Sequence, residues 1–190
     1  MKYLDNLIAI IKSAELTDMD GVRETDYDRI INKLVPKFLK HRNDDSLLFF
    51  IGNGGSAAIA SHMTADYMKN GGMRTYSLYD NAVMTCMGND YGYEYTFSKP
   101  LSFLIDTDDL LVAISSSGES KNIIRAIEVA KDKNANVITL TGFRKNNTVS
   151  RMGDMNVYVP SDKYGMVESI HNLMLQQIVD EIKDRDGIAL

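Results

Sequence analysis

Two short loops in the sequence carry residues that suit the binding of a phosphate group. The glycine loop, Gly52-Asn53-Gly54-Gly55-Ser56, follows the apolar run 47–51. The serine loop, Ser115-Ser116-Ser117-Gly118-Glu119-Ser120, follows the apolar run 110–114 and places four hydroxyls within six residues. Glycines let the backbone turn tightly, and the free N–H groups at the start of a following helix favour an anion. The two loops together predict a site for a phosphate monoester, whose three oxygens all accept hydrogen bonds.

The glycine loop alone also allows other interpretations. With Ala57 it satisfies the loose dinucleotide pattern GxGxxG/A, with Asp80 as the ribose partner. It could also be a tight strand-to-helix turn that binds no ligand. No GxxxxGK[ST] string occurs, which excludes a Walker A loop. Serine is an ordinary helix N-cap, so one hydroxyl of the serine loop needs no ligand. Four hydroxyls exceed that need, and a dinucleotide domain requires no second loop, so we expect a phosphate site and no nucleotide.

Short apolar runs alternate with helix-like stretches over most of the chain. Strands are predicted at 47–51, 110–114 and 137–141, and less strongly at 75–78 and 155–159; helices are predicted at 56–69, 93–104, 121–133 and 165–184. This alternation predicts a parallel sheet of about five strands with helices on both faces, a three-layer α/β/α architecture. Each of the two loops would then join the end of a strand to the start of a helix.

The first 43 residues have a different pattern. Leu4, Leu7, Ile8 and Ile11 follow helical spacing, and the same spacing returns between Tyr27 and Phe38 after a turn-rich break at 17–21. We therefore predict two amphipathic helices before any strand. Because a helical pair of this size cannot enclose a core, each apolar stripe must dock on the domain or on another subunit. The predicted organisation is one domain over 1–190, with N-terminal oligomerisation helices at 1–43 and an α/β core with a C-terminal helix at 44–190.

Composition excludes several classes of function. The chain has 190 residues, 44% of them hydrophobic, and a formal net charge of -5. An acidic balance argues against broad electrostatic capture of nucleic acid or of an anionic membrane. The longest apolar run is too short to cross a bilayer, and the N-terminus lacks the features of a signal peptide, so we expect a cytoplasmic protein.

Three individual residues carry simple expectations. Cys86 is the single cysteine and lies in the apolar run 82–87, which predicts a buried, unreactive thiol and excludes an intrachain disulfide. His41 lies in a polar helix end and is expected in solvent. His171 lies in the C-terminal helix and is expected to be packed.

The motifs, taken in chain order, resemble those of the sugar-isomerase (SIS) domain family, and within it the phosphoheptose isomerase branch. They are the glycine loop, His62, Gly88-Asn89-Asp90, the serine loop with Ile114 before it, and the segment 138–142. The resemblance implies a flavodoxin-like fold and a homotetramer with active sites at subunit interfaces. It also implies conversion of sedoheptulose 7-phosphate to heptose 7-phosphate through an enediol, which feeds heptose synthesis for surface polysaccharide. The implied substrate-binding residues are Asn53, Gly54, Gly55, Ser56, Asn89, Asp90, Ser115, Ser116, Ser117 and Ser120.

The family's catalytic positions are changed in this chain. Where the family has a histidine followed four residues later by a glutamate, this chain has His62 and Asp66; where the family has a glutamine followed eight residues later by a histidine, it has Glu168 and Gln176. Each spacing places its pair on one helix face. The resemblance thus implies Asp66, Glu168 and Gln176 as catalytic residues. We expect Asp66 to be the base, Glu168 its partner, and His62 a metal ligand or orienting group.

The same four positions also suggest a divalent metal, such as zinc, held by His62, Asp66, Glu168 and Gln176. Since Gln176 cannot titrate, an alternative remains open. The chain could be a non-catalytic sugar-phosphate-binding or regulatory SIS protein that acts through a protein partner.

Overall fold

A seven-stranded sheet forms the centre of the structure, a computed structural model that describes residues 2–186. The strands are β1 (Glu15–Asp18), β2 (Arg23–Glu24), β3 (Leu48–Gly52), β4 (Thr75–Tyr76), β5 (Leu110–Ser115), β6 (Asn136–Thr141) and β7 (Met155–Tyr158). Their order across the sheet is β2-β1-β7-β6-β5-β3-β4. The five strands from β7 to β4 are parallel. These five are the strands that the apolar runs predicted.

The sheet has seven strands rather than about five because a hairpin extends it. β1 pairs antiparallel with β2 and with β7. The sequence pattern predicts two helices before any strand, with a turn-rich break at 17–21, and this prediction is wrong for β1 and β2. Strands of four and two residues, with Leu16 as their one fully buried side chain, are too short to show an alternating pattern.

Helices cover both faces of the sheet. They are α1 (Tyr3–Ile11), α2 (Tyr27–Asn43), α3 (Gly55–Lys69), α4 (Asn81–Tyr91), α5 (Ser98–Leu104), α6 (Lys121–Asp132) and α7 (Tyr164–Asp186), with short 3-10 helices at Tyr93–Tyr95 and Val149–Arg151. One apolar cluster packs between the sheet and α2, α3 and α7, and a second packs between the sheet and α5 and α6. This is the predicted three-layer α/β/α arrangement. None of the helices described for residues 2–186 combines the length and the hydropathy of a membrane-spanning segment.

The two N-terminal helices differ in how they are covered. The apolar stripe of α2 is buried against the domain, with Ile30, Leu34 and Phe38 at most 2% exposed. By contrast, α1 has no buried residue, and its Tyr3 and Leu4 are more than 60% exposed. The described part of the chain therefore leaves one side of α1 uncovered.

Three local expectations were wrong. The helix predicted at 93–104 is divided into the 3-10 helix Tyr93–Tyr95 and α5. Cys86 is exposed rather than buried, because it lies on α4, a helix with no buried residue. His41 is 3% exposed rather than solvated: its Nδ1 lies 3.0 Å from the Ser46 hydroxyl, and burial lowers its pKa. The packed environment expected for His171 is confirmed, since that residue is 0% exposed.

Candidate active site

The glycine loop and the serine loop meet at the carboxyl edge of the parallel sheet. β3 leads into the glycine loop and then α3, and β5 leads into the serine loop and then α6. β3 and β5 are neighbours, with Gly52 beside Ile114, so the loops lie side by side. The carboxyl end of such strands is where α/β sheets bind their ligands. A pocket of about 100 Å³ lies there, lined by Asn53, Ser56, Ile114, Ser115, Ser116, Ser117, Ser120, Tyr164 and Glu168.

Two glycines of the glycine loop have separate structural effects. Gly54 has φ +56° and ψ -122°, a conformation that side chains strongly disfavour. A Cβ at Gly55 would overlap the carboxylate of Glu168. Glu168, on α7, therefore packs directly against the backbone at the start of α3. This contact places a carboxylate in the wall of the pocket.

The helices that start at this pocket have free N-termini. Asp26 and Asp80 cap α2 and α4 by accepting the N–H groups of Arg29 and Val83 at 3.0 and 2.9 Å. No side chain caps α3 or α6, although Ser120 occupies the N-cap position of α6. The first N–H groups of a helix have no partner within it, and they carry the positive end of the helix dipole. The ordinary capping interpretation thus does not account for the Ser120 hydroxyl, which is available to an anion.

The serine hydroxyls divide into two groups. Ser115 and Ser117 shape the loop itself, since their hydroxyls accept the N–H groups of Gly118 and Glu119 at 3.1 and 3.3 Å. The Ser116 hydroxyl is buried and has no hydrogen-bond partner among the described residues. A buried polar group without a partner costs free energy, and such groups are rare in folded proteins. A ligand oxygen in the pocket would supply the missing partner.

A neighbouring segment braces the serine loop. The N–H of Val149 donates to the carbonyl of Gly118 at 3.0 Å. The Glu119 carboxylate accepts both the N–H and the hydroxyl of Thr148, at 3.0 and 2.7 Å, and these hydrogen bonds lower the Glu119 pKa. The loop is therefore fixed from the segment that follows β6. This brace was not predicted, because nothing in the sequence links residues 29 positions apart.

No cationic side chain of residues 2–186 lines the pocket. Among its lining residues the titratable groups are Tyr164 and Glu168. Recognition of a phosphate here depends on hydroxyl and N–H donors and on two helix N-termini rather than on lysine or arginine. Of the carboxylates that the structure describes, Glu168 is the one that lines the pocket.

The predicted catalytic residues do not all come together within one chain. His62 and Asp66 form a pair on α3, with Nε2 3.3 Å from Oδ2, and the Asp66 side chain is 18% exposed. Asp66 lies eleven residues beyond Gly55, which corresponds to about 16 Å along a helix, and Gln176 lies about 12 Å beyond Glu168. Neither Asp66 nor Gln176 lines the pocket. Of the predicted catalytic set, one chain therefore brings Glu168 alone to the serine loop.

Four predicted substrate-binding residues, Gly54, Gly55, Asn89 and Asp90, are not among the residues that line the pocket. Asn89 and Asp90 are exposed on α4, where the Asn89 amide donates to the Asp90 carboxylate at 2.8 Å. Their role in binding stays a prediction. Asn53, Ser56 and the four serines of the serine loop do line the pocket, and their role in binding a substrate also stays a prediction.

One chain does not assemble the predicted metal site. Within residues 2–186, no three His, Cys, Asp or Glu side chains lie close enough together to hold a metal ion. The set of His62, Asp66, Glu168 and Gln176 is divided between α3 and α7. The sequence did not predict this separation, because helical spacing places residues along one helix but does not set the distance between two helices. The residues of a single chain thus do not fit a zinc ion, and we derive no step through a metal.

Comparison with known proteins agrees with this fold. A family model described as "SIS domain" matches residues 3–142. A phosphoheptose isomerase from Helicobacter pylori is 31% identical, with 95% of this chain and 96% of that protein aligned. Solved structures of phosphoheptose isomerases from Francisella tularensis and Neisseria gonorrhoeae superpose with a TM-score of 0.82 each; they are 27% and 28% identical, and the match covers 96% of this chain and 95% of theirs.

The chain therefore belongs to the SIS domain family, a class of α/β proteins that its fold and strand-end pocket already indicated. Within that family it lies in the phosphoheptose isomerase branch.

Proposed function

We propose that this chain is an aldose–ketose isomerase that converts sedoheptulose 7-phosphate into heptose 7-phosphate. The observation that carries the proposal is the pocket between the glycine and serine loops, with two uncapped helix N-termini and the unpartnered hydroxyl of Ser116. These donors suit a compact, doubly charged group that accepts hydrogen bonds at three oxygens. The relatives named phosphoheptose isomerase support a seven-carbon sugar phosphate as the substrate. Its place in the supply of heptose for surface polysaccharide, and its cytoplasmic location, stay predictions.

The reaction needs two proton-handling groups. A base removes the proton from the carbon next to the carbonyl, and a second group moves protons between the two oxygens of the enediol. Asp66 occupies the position of the family's glutamate, and His62 is close enough to orient it. Glu168 lies at the pocket and fits the second role. We therefore assign proton abstraction to Asp66 and oxygen-to-oxygen proton transfer to Glu168.

This assignment requires more than one subunit. Asp66 does not line the serine pocket of its own chain and lies about three helical turns beyond Gly55. The proposed site is therefore completed at an interface, where the His62–Asp66 pair of one subunit faces the serine pocket of another, within a homotetramer. The exposed apolar side chains of Tyr3, Leu4 and Ile8 on α1 give such an assembly a surface to cover.

Complementation between inactive variants tests the shared site. Asp66→Asn and Glu168→Gln subunits should each form inactive oligomers. When the two are coexpressed and mix at random, about one quarter of the sites would combine an intact Asp66 with an intact Glu168 from different chains. Partial recovery of activity is the expected result. No recovery in confirmed mixed oligomers would contradict a site built from two subunits.

Solvent-proton exchange tests the reaction itself. The protein is incubated with sedoheptulose 7-phosphate in deuterated water, and deuterium at the carbon next to the carbonyl is followed by NMR. Exchange should occur with the unmodified chain and be abolished in Asp66→Asn, which should still bind the sugar phosphate. Gln176→Ala should cost less activity than Glu168→Gln, because an amide cannot titrate. Full exchange in Asp66→Asn would refute the assignment of the base.

A metal requirement is tested in the same assay. The oligomer is dialysed against a chelator and then supplied with zinc, and bound metal is measured together with exchange. Although a single chain does not fit zinc, we expect the oligomer to bind it where His62 and Asp66 of one subunit face Glu168 of another, and we expect the Asp66→Asn oligomer to contain less bound zinc. Absence of exchange in the unmodified chain, with and without zinc, would overturn the isomerase proposal and favour a sugar-phosphate-binding protein.

A further inference from the structure

The side-chain amide of Asn53 is held in one orientation by two residues outside the pocket. Its Oδ1 accepts a hydrogen bond from the Asn122 amide at 2.8 Å and another from the Tyr93 hydroxyl at 2.9 Å. Its Nδ2 donates to Asn122 Oδ1 at 2.9 Å. An amide oxygen has two lone pairs and an amide nitrogen has two hydrogens. Both acceptor positions of Asn53 are therefore filled, and one N–H remains.

The three residues come from three different segments around the pocket. Asn53 lies in the glycine loop and lines the pocket. Asn122 is 2% exposed in the first turn of α6, two residues after Ser120. Tyr93 belongs to the 3-10 helix that follows α4, and 62% of it is exposed. The hydrogen bonds between Asn53 and Asn122 therefore join the glycine loop to the start of α6, the helix that follows the serine loop.

We propose that Tyr93 and Asn122 are positioning residues that present Asn53 to the sugar phosphate as a hydrogen-bond donor. The inference deepens the proposed function and rests on it, because it requires the pocket to receive an oxygen-rich anionic ligand. An amide rotated by half a turn would offer its carbonyl oxygen instead, and that oxygen would repel an anionic oxygen. The reciprocal pair between Asn53 and Asn122 fixes the plane of the amide, and the Tyr93 hydroxyl adds a donor on the oxygen side.

Tyr93→Phe tests the proposal, with Tyr95→Phe as the matched control. Both variants remove a phenol hydroxyl from the same 3-10 helix. The Tyr95 ring packs on Arg125, whose guanidinium carbon lies 4.6 Å from the ring centre, and its hydroxyl bonds to no described residue. Tyr93→Phe should raise KM for sedoheptulose 7-phosphate about threefold to tenfold, with kcat changed by less than about twofold, because a neutral hydrogen bond to a ground-state ligand acts on binding. Tyr95→Phe should change neither the kinetic constants nor the melting temperature.

A double-mutant cycle separates positioning from a structural role. In an Asn53→Ala background, Tyr93→Phe should have no further effect on KM, because the group that it orients is gone. A structural effect of Tyr93 on the loop would persist in that background.

Two results would overturn the inference alone. They are an equal effect of Tyr93→Phe with and without Asn53, and a Tyr93→Phe variant whose kinetics match those of the unmodified chain. If the unmodified chain itself neither binds nor converts the sugar phosphate, the proposed function fails and this inference fails with it.

Discussion

Ser116→Ala should make the free protein more stable while weakening its binding of sugar phosphate. The Ser116 hydroxyl is buried without a partner among the described residues, and such a group costs about 1–3 kcal/mol. Its removal should raise the free energy of unfolding by about 1 kcal/mol, which corresponds to about 2–4 °C in melting temperature for a domain of this size. In the complex the same hydroxyl would donate to a charged oxygen, a bond that contributes about 1.5–3 kcal/mol. The dissociation constant should therefore rise about tenfold to a hundredfold.

The assay is thermal unfolding with and without sedoheptulose 7-phosphate. Because a ligand that binds only the folded state raises the melting temperature, the ligand-induced increase should shrink in Ser116→Ala. Ser115→Ala is the matched control: its hydroxyl accepts the N–H of Gly118 at 3.1 Å, so this variant should be less stable. If Ser116→Ala lowers the melting temperature as Ser115→Ala does, the hydroxyl is not an unpaired group. If the ligand-induced increase is unchanged, Ser116 does not contact the phosphate.

Three further predictions concern the serine loop, Gly55 and His171. Ser117→Ala and Ser120→Ala should each weaken sugar-phosphate binding about tenfold or more, measured by titration calorimetry, with the fold intact; unchanged affinity in both would remove the serine loop from the site. Gly55→Ala should displace the Glu168 carboxylate and reduce isomerisation while circular dichroism stays unchanged; an unaltered rate would show that this position of Glu168 is not needed. Burial lowers the pKa of His171 to about 4, so this residue stays neutral in the folded protein while the unfolded chain takes up a proton below about pH 6.5. Its contribution to stability is complete above that pH and should fall by roughly 2 kcal/mol at pH 5, in chemical denaturation that compares the unmodified chain with His171→Gln; an equal loss in both would refute it.

The central strands and the two loops were predictable because their signals are local. β3 and β5 contain continuous apolar runs, and β6 combines apolar residues with Thr139 and Thr141. All three strands are buried on both faces, and each ends at, or directly before, a glycine or serine. A strand followed by glycine or serine and then a helix places that loop at the carboxyl edge of the sheet whatever the rest of the chain does. The two loops could therefore be found without tertiary context, whereas the packing of Tyr164 and Glu168 against them could not.

Burial was harder to predict than element type. The run 82–87 is apolar, yet it forms part of α4, which has no buried residue. An apolar run predicts a surface against which another element can pack. It does not show whether that element belongs to the same chain. His41 shows the opposite error, because its polar sequence neighbours suggested solvent while the packing of α2 buries it.

The positions of the candidate catalytic residues in the chain could be predicted, but the distances between them could not. The spacing of His62 and Asp66 places them on one face of α3, and the structure confirms their contact. No spacing within a helix could show that Glu168 packs at the start of α3 while Asp66 lies about three turns away. The same limit explains why Tyr93, Asn122 and Thr148 were missed, since each acts through a residue distant in sequence.

The described residues that line the pocket include no lysine, arginine or histidine, and this determines how the pocket recognises a phosphate. A cationic side chain attracts any anion and adapts its position, whereas hydroxyl and N–H donors act only when they point at an acceptor. Because Glu168 in the wall opposes negative charge, affinity must come from several hydrogen bonds made together. The orientation of each donor therefore matters more here than in a cationic site. This accounts for a serine loop braced by Thr148 and Val149, and for an Asn53 amide fixed by two partners outside the pocket.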